Sequence, residues 1–309
     1  MRIAFMGTPD FSVSCLKALV ESEHEIVGVF CQPDKPVGRK QILTAPDVKV
    51  EALRHNLTVY QPVSLRNGKG VEILKEINPD LVVVVAYGKI LPKDFLDFPK
   101  YGCINVHASI LPKYRGASPI HYAVLNGDEV TGVTVQQMDE GVDTGDILNI
   151  ITCKIGINDT TEYMYEVLAP LGAKAMLETI DMIENGTLNP VEQIESEATH
   201  VGLLNKNMSK IDWSCSAFEI HNKIRGLYSW PGASAIFDGK TLKIHKSVLS
   251  DKSGNNIPGC IVSAGEAVTV CCGDNKCIDI LELQPEGKKR MDARSFVNGY
   301  RVEKGTVLE

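Results

Sequence analysis

The chain has 309 residues, a formal net charge of −7, 44% hydrophobic residues and 23% charged residues. A length in this range favours about two domains, and the composition is ordinary for a soluble globular protein. No apolar run reaches the roughly 20 residues that a membrane helix needs, and the N-terminal stretch lacks the features of a signal peptide. We therefore expect a cytoplasmic protein that does not contact a membrane.

The charge is distributed unevenly along the chain. An acidic protein is a poor partner for nucleic acid. However, residues 204–258 carry eight Lys or Arg residues and only four Asp or Glu residues. This segment therefore predicts a basic region on an acidic body.

The nine cysteines favour reduced thiols, because their number is odd, they are scattered and no C-x-x-C pair occurs. Cys260, Cys271, Cys272 and Cys277 lie close together in the sequence. Zinc sites usually pair their ligands as C-x-x-C, which this spacing does not do. We expect these four cysteines to be buried strand residues and predict no metal.

The N-terminal part alternates between strand and helix patterns. An apolar run at 2–6 is followed by the turn GTPD at 7–10 and a helical pattern, as at the start of an α/β domain. The single glycine excludes the G-x-G-x-x-G dinucleotide motif. Residues 80–86, DLVVVVA, contain the continuous run of branched apolar residues that is typical of a buried parallel strand. We further predict a long polar loop over 32–46 and a long helix over 159–185.

A polar pair lies in the stretch CINVHASILP at 103–112. Ile104 and Val106 alternate with Asn105 and His107, so a strand would place the apolar pair in the core and the polar pair on the opposite face. A carboxamide beside an imidazole suits acyl-type chemistry. The amide can donate a hydrogen bond to a developing oxyanion, and the imidazole can donate another or move a proton.

An acidic loop, DEGVDTGD, covers residues 139–146. It could bind a hard cation, but its ligand spacing does not match an EF-hand. Alternatively, one of its aspartates orients His107 or favours its charged form. Local spacing does not choose among Asp139, Asp143 and Asp146.

The polarity and the hydrophobic periodicity of the sequence change beyond residue 188. Residues 189–207 are polar with little periodicity, which predicts a linker. Five short strand patterns then recur within about 60 residues, as in the small OB-type barrels that commonly bind oligonucleotides. These strands are predicted at 233–237, 241–245, 259–263, 268–272 and 278–283. The predicted organisation is a catalytic α/β domain over 1–188, a linker over 189–207 and a smaller OB-like domain over 208–309.

Three motifs, taken in order, resemble those of the folate-dependent formyltransferases. They are NVHASILP at 105–112, RGASPI at 115–120 and QMDxGxDTGD at 137–146. The members that act on methionyl-tRNA are similar over essentially the whole chain, through GTPDF at 7–11, GRK at 38–40, IDW at 211–213 and RGxxxWP at 225–231. The resemblance implies a Rossmann-like domain with a mostly parallel sheet, followed by an OB-like β-barrel domain. It also implies 10-formyltetrahydrofolate as donor and the amino group of methionine on initiator tRNA as acceptor.

The resemblance assigns roles residue by residue. The catalytic positions correspond to Asn105, His107 and Asp143. The folate site corresponds to Ser109, Ile110, Leu111, Pro112, Tyr87, Ile90, Leu91 and Val142. The contacts with tRNA are expected at Arg39, Lys40, Lys206 and Lys210. Ile110 replaces the leucine usual in the family's S-L-L-P tetrapeptide, an apolar exchange of similar volume that we expect to be tolerated.

The expected reaction is direct transfer, without a metal or a covalent enzyme intermediate. Asn105 and imidazolium His107 would stabilise the oxyanion, while Asp143 keeps His107 charged and helps to route a proton. Three alternatives stay open: a formyltransferase for a small amine such as glycinamide ribonucleotide or an amino-sugar nucleotide, a non-catalytic RNA-binding protein, and a metal-dependent hydrolase that uses the acidic loop. We expect a monomer.

Overall fold

The computed structural model describes residues 1–38 and 40–309. The chain forms two compact units, each built from several segments. The first unit comprises Met1–Gly116, Thr131–Cys153 and Tyr165–Val201, and the second comprises Ala117–Val130, Lys154–Met164 and Gly202–Glu309. The domain boundaries at 188 and 208 stay predictions.

The first unit is organised around a seven-stranded sheet. Up to residue 201 the strands are β1 (Arg2–Gly7), β2 (Glu25–Phe30), β3 (Lys35–Val37), β4 (Ile42–Thr44), β5 (Val59–Tyr60), β6 (Leu81–Val85), β7 (Cys103–His107), β8 (Arg115–Gly116), β9 (Val130–Gln137), β10 (Ile147–Lys154) and β11 (His200–Val201). The order in the sheet is β10-β9-β7-β6-β1-β2-β5. The pairs β6–β1, β1–β2, β2–β5 and β6–β7 are parallel, whereas β7 and β9 are antiparallel.

The helices flank these strands along the chain. They are α1 (Asp10–Val20), α2 (Asp47–Arg54), α3 (Lys69–Ile77), α4 (Lys93–Leu96), α5 (Pro119–Leu125), α6 (Thr161–Glu184), α7 (Ala217–Gly226) and α8 (Ala293–Tyr300). Helix α6 is the long helix predicted over 159–185. The hydroxyl of Thr160 accepts a hydrogen bond from the backbone N–H of Tyr163 at 3.2 Å, which is an N-terminal capping contact.

The centre of the sheet explains where a ligand would bind. Strand β6, LVVVV, is buried along its whole length, because branched apolar side chains cover both of its faces. Since β6 and β7 are parallel neighbours, their carboxyl ends meet at one edge of the sheet. Ligands of open α/β sheets bind at that edge. The loops that begin at residues 86 and 108 both start there.

The predicted polar loop over 32–46 is not entirely irregular. Residues Lys35–Val37 and Ile42–Thr44 form a short antiparallel hairpin, in which Val37 pairs with Ile42. The turn contains Gly38, whose φ of +70° is a conformation that glycine adopts without strain. The prediction missed the hairpin because its strands are only three residues long and lie on the surface. Arg39 lies outside the described residues.

The second unit contains an antiparallel sheet of six strands. They are β12 (Ala233–Phe237), β13 (Lys240–Ser253), β14 (Ile261–Ala264), β15 (Val268–Cys271), β16 (Lys276–Pro285) and β17 (Met291–Asp292). Their order is β12-β13-β16-β15-β14, with β17 paired to β16. Leu242, Ile244 and Ile280 of this sheet share an apolar core with Phe296 of α8. An α/β unit with a mostly parallel sheet and a separate antiparallel β domain confirm the predicted fold class.

Strand β13 is much longer than the predicted strand at 241–245. It covers 14 residues and pairs with β16 along most of its length. The pairing register shifts between Ile244 and Lys246, and again between Lys246 and Ser247. Such irregularities bend a strand and break the alternation of apolar and polar residues, which is why the sequence pattern ended at this point.

Within residues 1–38 and 40–309, no helix is both long enough and apolar enough to cross a bilayer.

Candidate active site

The three side chains predicted as catalytic meet at the carboxyl end of β7. Asn105 donates from Nδ2 to Oδ1 of Asp143 at 3.3 Å. Nδ1 of His107 lies 3.5 Å from the same oxygen. The His107 and Asp143 side chains are only 7% and 13% exposed. A strand and a loop that are 36 residues apart in the sequence therefore bring an amide, an imidazole and a carboxylate to one place.

The His107 ring is held from both sides. Its Nε2 lies 3.0 Å from the carbonyl oxygen of Tyr114. A carbonyl oxygen only accepts, so Nε2 must carry the hydrogen of this bond. Its Nδ1 faces the carboxylate of Asp143. Both ring nitrogens therefore face oxygen atoms, which fixes the orientation of the ring.

Asp143 is the centre of the polar cluster, and its position needs an unusual backbone. Its φ is +56°, in the left-handed region. Its Oδ1 accepts a hydrogen bond from Nε2 of Gln136 at 2.9 Å, and its Oδ2 accepts one from the backbone N–H of Gly116 at 2.8 Å. These donors fix both carboxylate oxygens.

Gln136 is a site residue that the sequence reasoning missed. It is 2% exposed, and it stands directly opposite Asn105 in the antiparallel pairing of β7 and β9. A signal was present in the sequence. Val133 and Val135 are core residues of β9, so the intervening polar residues had to face the same side of the sheet as Asn105.

The structure distinguishes the three aspartates of the acidic loop. The carboxylate of Asp139 accepts hydrogen bonds from the backbone N–H of Gly141 and from the hydroxyl of Thr144, so it shapes the turn locally. Asp146 is exposed, and its carbonyl oxygen accepts from the backbone N–H of Gln137. Only the Asp143 carboxylate lies beside His107.

The predicted folate tetrapeptide at 109–112 forms the loop that leaves β7. The Ser109 side chain is buried and donates to the carbonyl oxygen of Lys113 at 2.6 Å, so its hydroxyl is used within the loop. The hydroxyl of Thr134 donates to the carbonyl of Ser109 and accepts from the N–H of Leu111. Leu111 is buried, whereas Ile110 and Pro112 are half-buried. Strand β9 therefore fixes the path of this loop.

The other predicted folate residues fall into two groups. Tyr87 and Leu91 are buried in the apolar cluster beside β6. The Tyr87 hydroxyl has no hydrogen-bond partner among the described residues, and burial raises its pKa to about 12. In contrast, the Ile90 and Val142 side chains are 70% and 58% exposed. Among the described residues, no hydrogen bond links these four side chains to the cluster of Asn105, His107 and Asp143.

The predicted tRNA contacts are surface residues. Lys40 belongs to the first unit, whereas Lys206 and Lys210 belong to the second, and all three are exposed. Lys206 starts a short 3₁₀ turn, Lys206–Ser209. The carbonyl oxygen of Lys210 accepts a hydrogen bond from the side chain of Lys223. The fourth predicted residue, Arg39, lies outside the described residues.

The cysteines are free thiols that are buried or half-buried. Burial raises the pKa of the Cys103 thiol far above its usual value, with a smaller contribution from Asp97. Cys260, Cys271, Cys272 and Cys277 are buried free thiols. Among the described residues, the one group that could supply three metal ligands is His24, Asp181 and Glu184.

The fold and the polar cluster define the class of protein. The family model of the formyl transferases matches residues 1–180, and the model of the formyl transferase C-terminal domain matches residues 203–301. The chain belongs to the formyl transferase family.

Curated relatives make the assignment more specific. A methionyl-tRNA formyltransferase from Agathobacter rectalis is 46% identical over 308 residues, which covers 100% of this chain and 99% of the relative. The methionyl-tRNA formyltransferase from Bacillus subtilis is 44% identical, covering 99% and 97% of the two chains. The suspected resemblance to this branch of the family is confirmed.

Solved structures show the same fold at lower identity. A sugar 3N-formyl transferase, WlaRD, superposes with a TM-score of 0.68 at 23% identity, covering 94% of this chain and 99% of its own. HypX from Aquifex aeolicus, solved with tetrahydrofolic acid, superposes with a TM-score of 0.62 at 17% identity and covers 100% of this chain, which spans 50% of that larger protein. At these identities the likeness concerns the fold alone.

Proposed function

We propose that the protein transfers the formyl group of 10-formyltetrahydrofolate to the amino group of methionine on initiator methionyl-tRNA. The observation that carries this proposal is the meeting of Asn105, His107 and Asp143 at the carboxyl edge of the sheet. The full-length similarity to curated methionyl-tRNA formyltransferases supports the choice of substrates. A carboxamide, an imidazole and a carboxylate are the groups that acyl transfer to an amine needs.

The loops at this edge are suited to a folate donor. Tyr87, Leu91 and Leu111 are buried within these loops, and Ile90 and Val142 present apolar side chains to solvent. Binding sites for flat ligands are mostly apolar, with few polar groups. The unpartnered Tyr87 hydroxyl is a polar group of that kind. These properties support folate binding at the loops 87–91 and 109–112.

Asn105 is assigned to oxyanion stabilisation. When the methionyl amine attacks the formyl carbon, a C–N bond forms and the carbonyl oxygen becomes negative. The Asn105 amide has two N–H donors. One points to Asp143, so the other can donate to the oxyanion. One such donor is worth about 3–4 kcal/mol in the transition state.

His107 is assigned an electrostatic role. Its Nε2 is engaged by Tyr114 and its Nδ1 faces Asp143. As an imidazolium it places a positive charge beside the oxyanion in a site of low solvent exposure, where a charge acts more strongly than in water. The Asp143 carboxylate, 3.5 Å from Nδ1, supplies the counter-charge for this role.

Collapse of the tetrahedral adduct restores the carbonyl and breaks the bond between the formyl carbon and the folate nitrogen. The attacking amine must lose a proton and the leaving nitrogen must gain one, so the exchange balances. We assign this proton route to Asp143 through water, because its carboxylate accepts hydrogen bonds at the centre of the cluster.

The acceptor end and the body of the tRNA are assigned to two regions. Arg39 and Lys40 are assigned to the acceptor end. Lys206 and Lys210 belong to the basic stretch 204–258, and they are assigned to phosphate contacts. Phosphate contacts position an RNA without reading its sequence.

The proposal is tested by transfer of labelled formyl from 10-formyltetrahydrofolate to methionyl-tRNA. Free methionine, glycinamide ribonucleotide and an amino-sugar nucleotide serve as parallel acceptors. Efficient transfer to charged initiator tRNA alone supports the proposal. Preferred transfer to a small amine would replace the acceptor, and transfer abolished by a chelator would point to the metal-dependent alternative.

A further inference from the structure

A polar segment that the sequence predicts as linker contacts the loop that carries Asp143. The buried Gln193 side chain donates from Nε2 to two carbonyl oxygens, those of Asp143 at 2.9 Å and of Gly145 at 2.7 Å. Gln193 and the loop that carries Asp143 both belong to the first unit. The segment is therefore part of the surroundings of the catalytic cluster.

The orientation of the Gln193 amide is fixed by a third contact. Nε of Arg115 donates to its Oε1 at 3.0 Å. A guanidinium only donates, so Oε1 must face Arg115 and the two hydrogens of Nε2 must face the loop carbonyls. Arg115 is 1% exposed and is itself paired with Glu195 at 2.8 Å. The donors to the loop are thus held in place before any substrate binds.

The loop needs such support because its backbone is strained. Asp143 has a φ of +56°, a region that costs a residue with a side chain about 1 kcal/mol or more. A Cβ at Gly145 would lie 1.6 Å from the carbonyl oxygen of Gln137, so the loop passes very close to β9. Gln193 binds the carbonyls on both sides of this turn. It thereby favours the conformation that points the Asp143 carboxylate at His107.

The same segment holds the other catalytic loop through Thr199. The Thr199 hydroxyl accepts from the backbone N–H of Tyr114 at 2.8 Å, and its backbone N–H donates to the carbonyl of Pro112 at 3.3 Å. The carbonyl of Tyr114 is the group that binds Nε2 of His107. Two successive hydrogen bonds therefore connect Thr199 to His107 through the backbone of Tyr114.

Gly116 allows the segment to approach so closely. Strand β11 pairs in parallel with β8, which places Val201 opposite Gly116. A Cβ on Gly116, whose φ is +115°, would lie 2.3 Å from the carbonyl oxygen of Val201. The N–H of Gly116 in turn donates to Asp143. The segment therefore contacts the supports of both Asp143 and His107.

We infer that residues 191–201 form a catalytic strap, in which Gln193 positions Asp143 and Thr199 positions the carbonyl that binds His107. This inference rests on the proposed function. Gln193 and Thr199 are positioning residues, because they act through Asp143 and His107 and are assigned no contact with substrate.

The variant Gln193→Glu separates positioning from simple structural support. Glutamate keeps an oxygen for Arg115 but replaces the donor to the two carbonyls with an acceptor. We expect kcat to fall by about 10- to 100-fold, by analogy with the loss that follows mutation of a residue that orients a metal ligand. The KM values for the folate donor and for methionyl-tRNA should stay near those of the wild type. Unchanged kcat, or a loss confined to KM, would overturn the inference.

The matched control is Glu192→Gln, at the exposed neighbouring position, which should leave kcat and KM unchanged. If circular dichroism shows that Gln193→Glu does not fold, the variant Thr199→Val tests the inference instead. It removes one hydroxyl at an exposed position with little change in shape. A several-fold fall in kcat supports the strap, and wild-type kcat overturns it. Wild-type protein without any formyl transfer would instead overturn the proposed function.

Discussion

Each unit contains a buried histidine whose two ring nitrogens face polar groups, and those groups differ. In the first unit, His107 faces the carboxylate of Asp143 and the carbonyl of Tyr114. In the second unit, His221 contacts the hydroxyl of Ser247 at 2.9 Å and the carbonyl of Ile157 at 2.8 Å. One group beside His107 is a negatively charged carboxylate, whereas both partners of His221 are uncharged.

The comparison shows that burial does not by itself make a histidine functional. Burial lowers the pKa of His221, and the carbonyl of Ile157 only partly offsets this. His221 is therefore kept neutral, as a satisfied polar group in a core. The Asp143 carboxylate beside the His107 ring is a group that His221 lacks, and it places His107 in the cluster proposed to stabilise the oxyanion.

The largest expected effect comes from removing groups that act on the oxyanion. Asn105→Ala should lower kcat by about 10²- to 10³-fold, which is the usual loss for one oxyanion donor. His107→Ala should abolish measurable transfer, since it removes the charge and leaves Asp143 without its partner. Labelled-formyl transfer and a thermal melt measure activity and folding separately.

Matched controls exist for both positions. Asn149→Ala changes a half-buried asparagine of β10 that contacts Glu178. His55→Ala changes a histidine that pairs with Glu51 on α2. Both should retain wild-type turnover. Wild-type-like turnover of Asn105→Ala or His107→Ala would contradict the proposed mechanism of oxyanion stabilisation.

The second effect tests whether the charge next to His107 is the decisive difference between the two histidines. Asp143→Asn keeps the size of the side chain but removes its charge, and we expect kcat to fall by about 100-fold or more, because the imidazolium loses its counter-charge. Asp146→Asn, in the same loop and exposed, should have no effect. Equal activity of the two variants would refute the role of Asp143.

A smaller effect is expected from the exposed lysines of the second unit. Lys206→Ala with Lys210→Ala should raise the KM for methionyl-tRNA several-fold, with kcat at saturating tRNA and the KM for folate unchanged. The dependence of tRNA affinity on salt should also become shallower, by about one unit of log–log slope for each phosphate contact that is lost. Filter binding at several salt concentrations measures this. An unchanged slope would exclude phosphate contacts at these lysines.

The smallest effect concerns His221 and acid stability. Its folded pKa lies below the ordinary value of 6.5, so the unfolded chain binds a proton more readily than the folded one. The stability that it contributes is complete above about pH 6.5 and is lost as the pH falls below that value. The variant His221→Gln should lose less Tm than the wild type between pH 7.5 and 5.5, by about 2 °C. His200→Gln, at an exposed position, is the control, and an equal loss in all three proteins would contradict the assignment.

The sequence predicted the class of fold and the three catalytic candidates for identifiable reasons. The unbroken apolar run of β6 and the alternation around Asn105 are local patterns, and local patterns are readable without a structure. The family motifs added Asp143, which spacing alone could not select.

The parts that were missed depend on long-range contacts. Gln136 gains its importance from the strand opposite it, and the hairpin at 35–44 is too short to show a periodic pattern. Gln193 and Thr199 lie in a segment that looks like a polar linker, because the partners of their side chains are 48 to 85 residues away in the sequence. Neither the composition nor the periodicity of the segment indicates those partners.

The close pairing of Val201 with Gly116 has a consequence for protein engineering. A truncated enzyme that stops at residue 188 would discard Gln193 and Thr199, together with their hydrogen bonds to the loops around Asp143 and Tyr114. A minimal fragment intended to retain any turnover should therefore keep every residue through Val201.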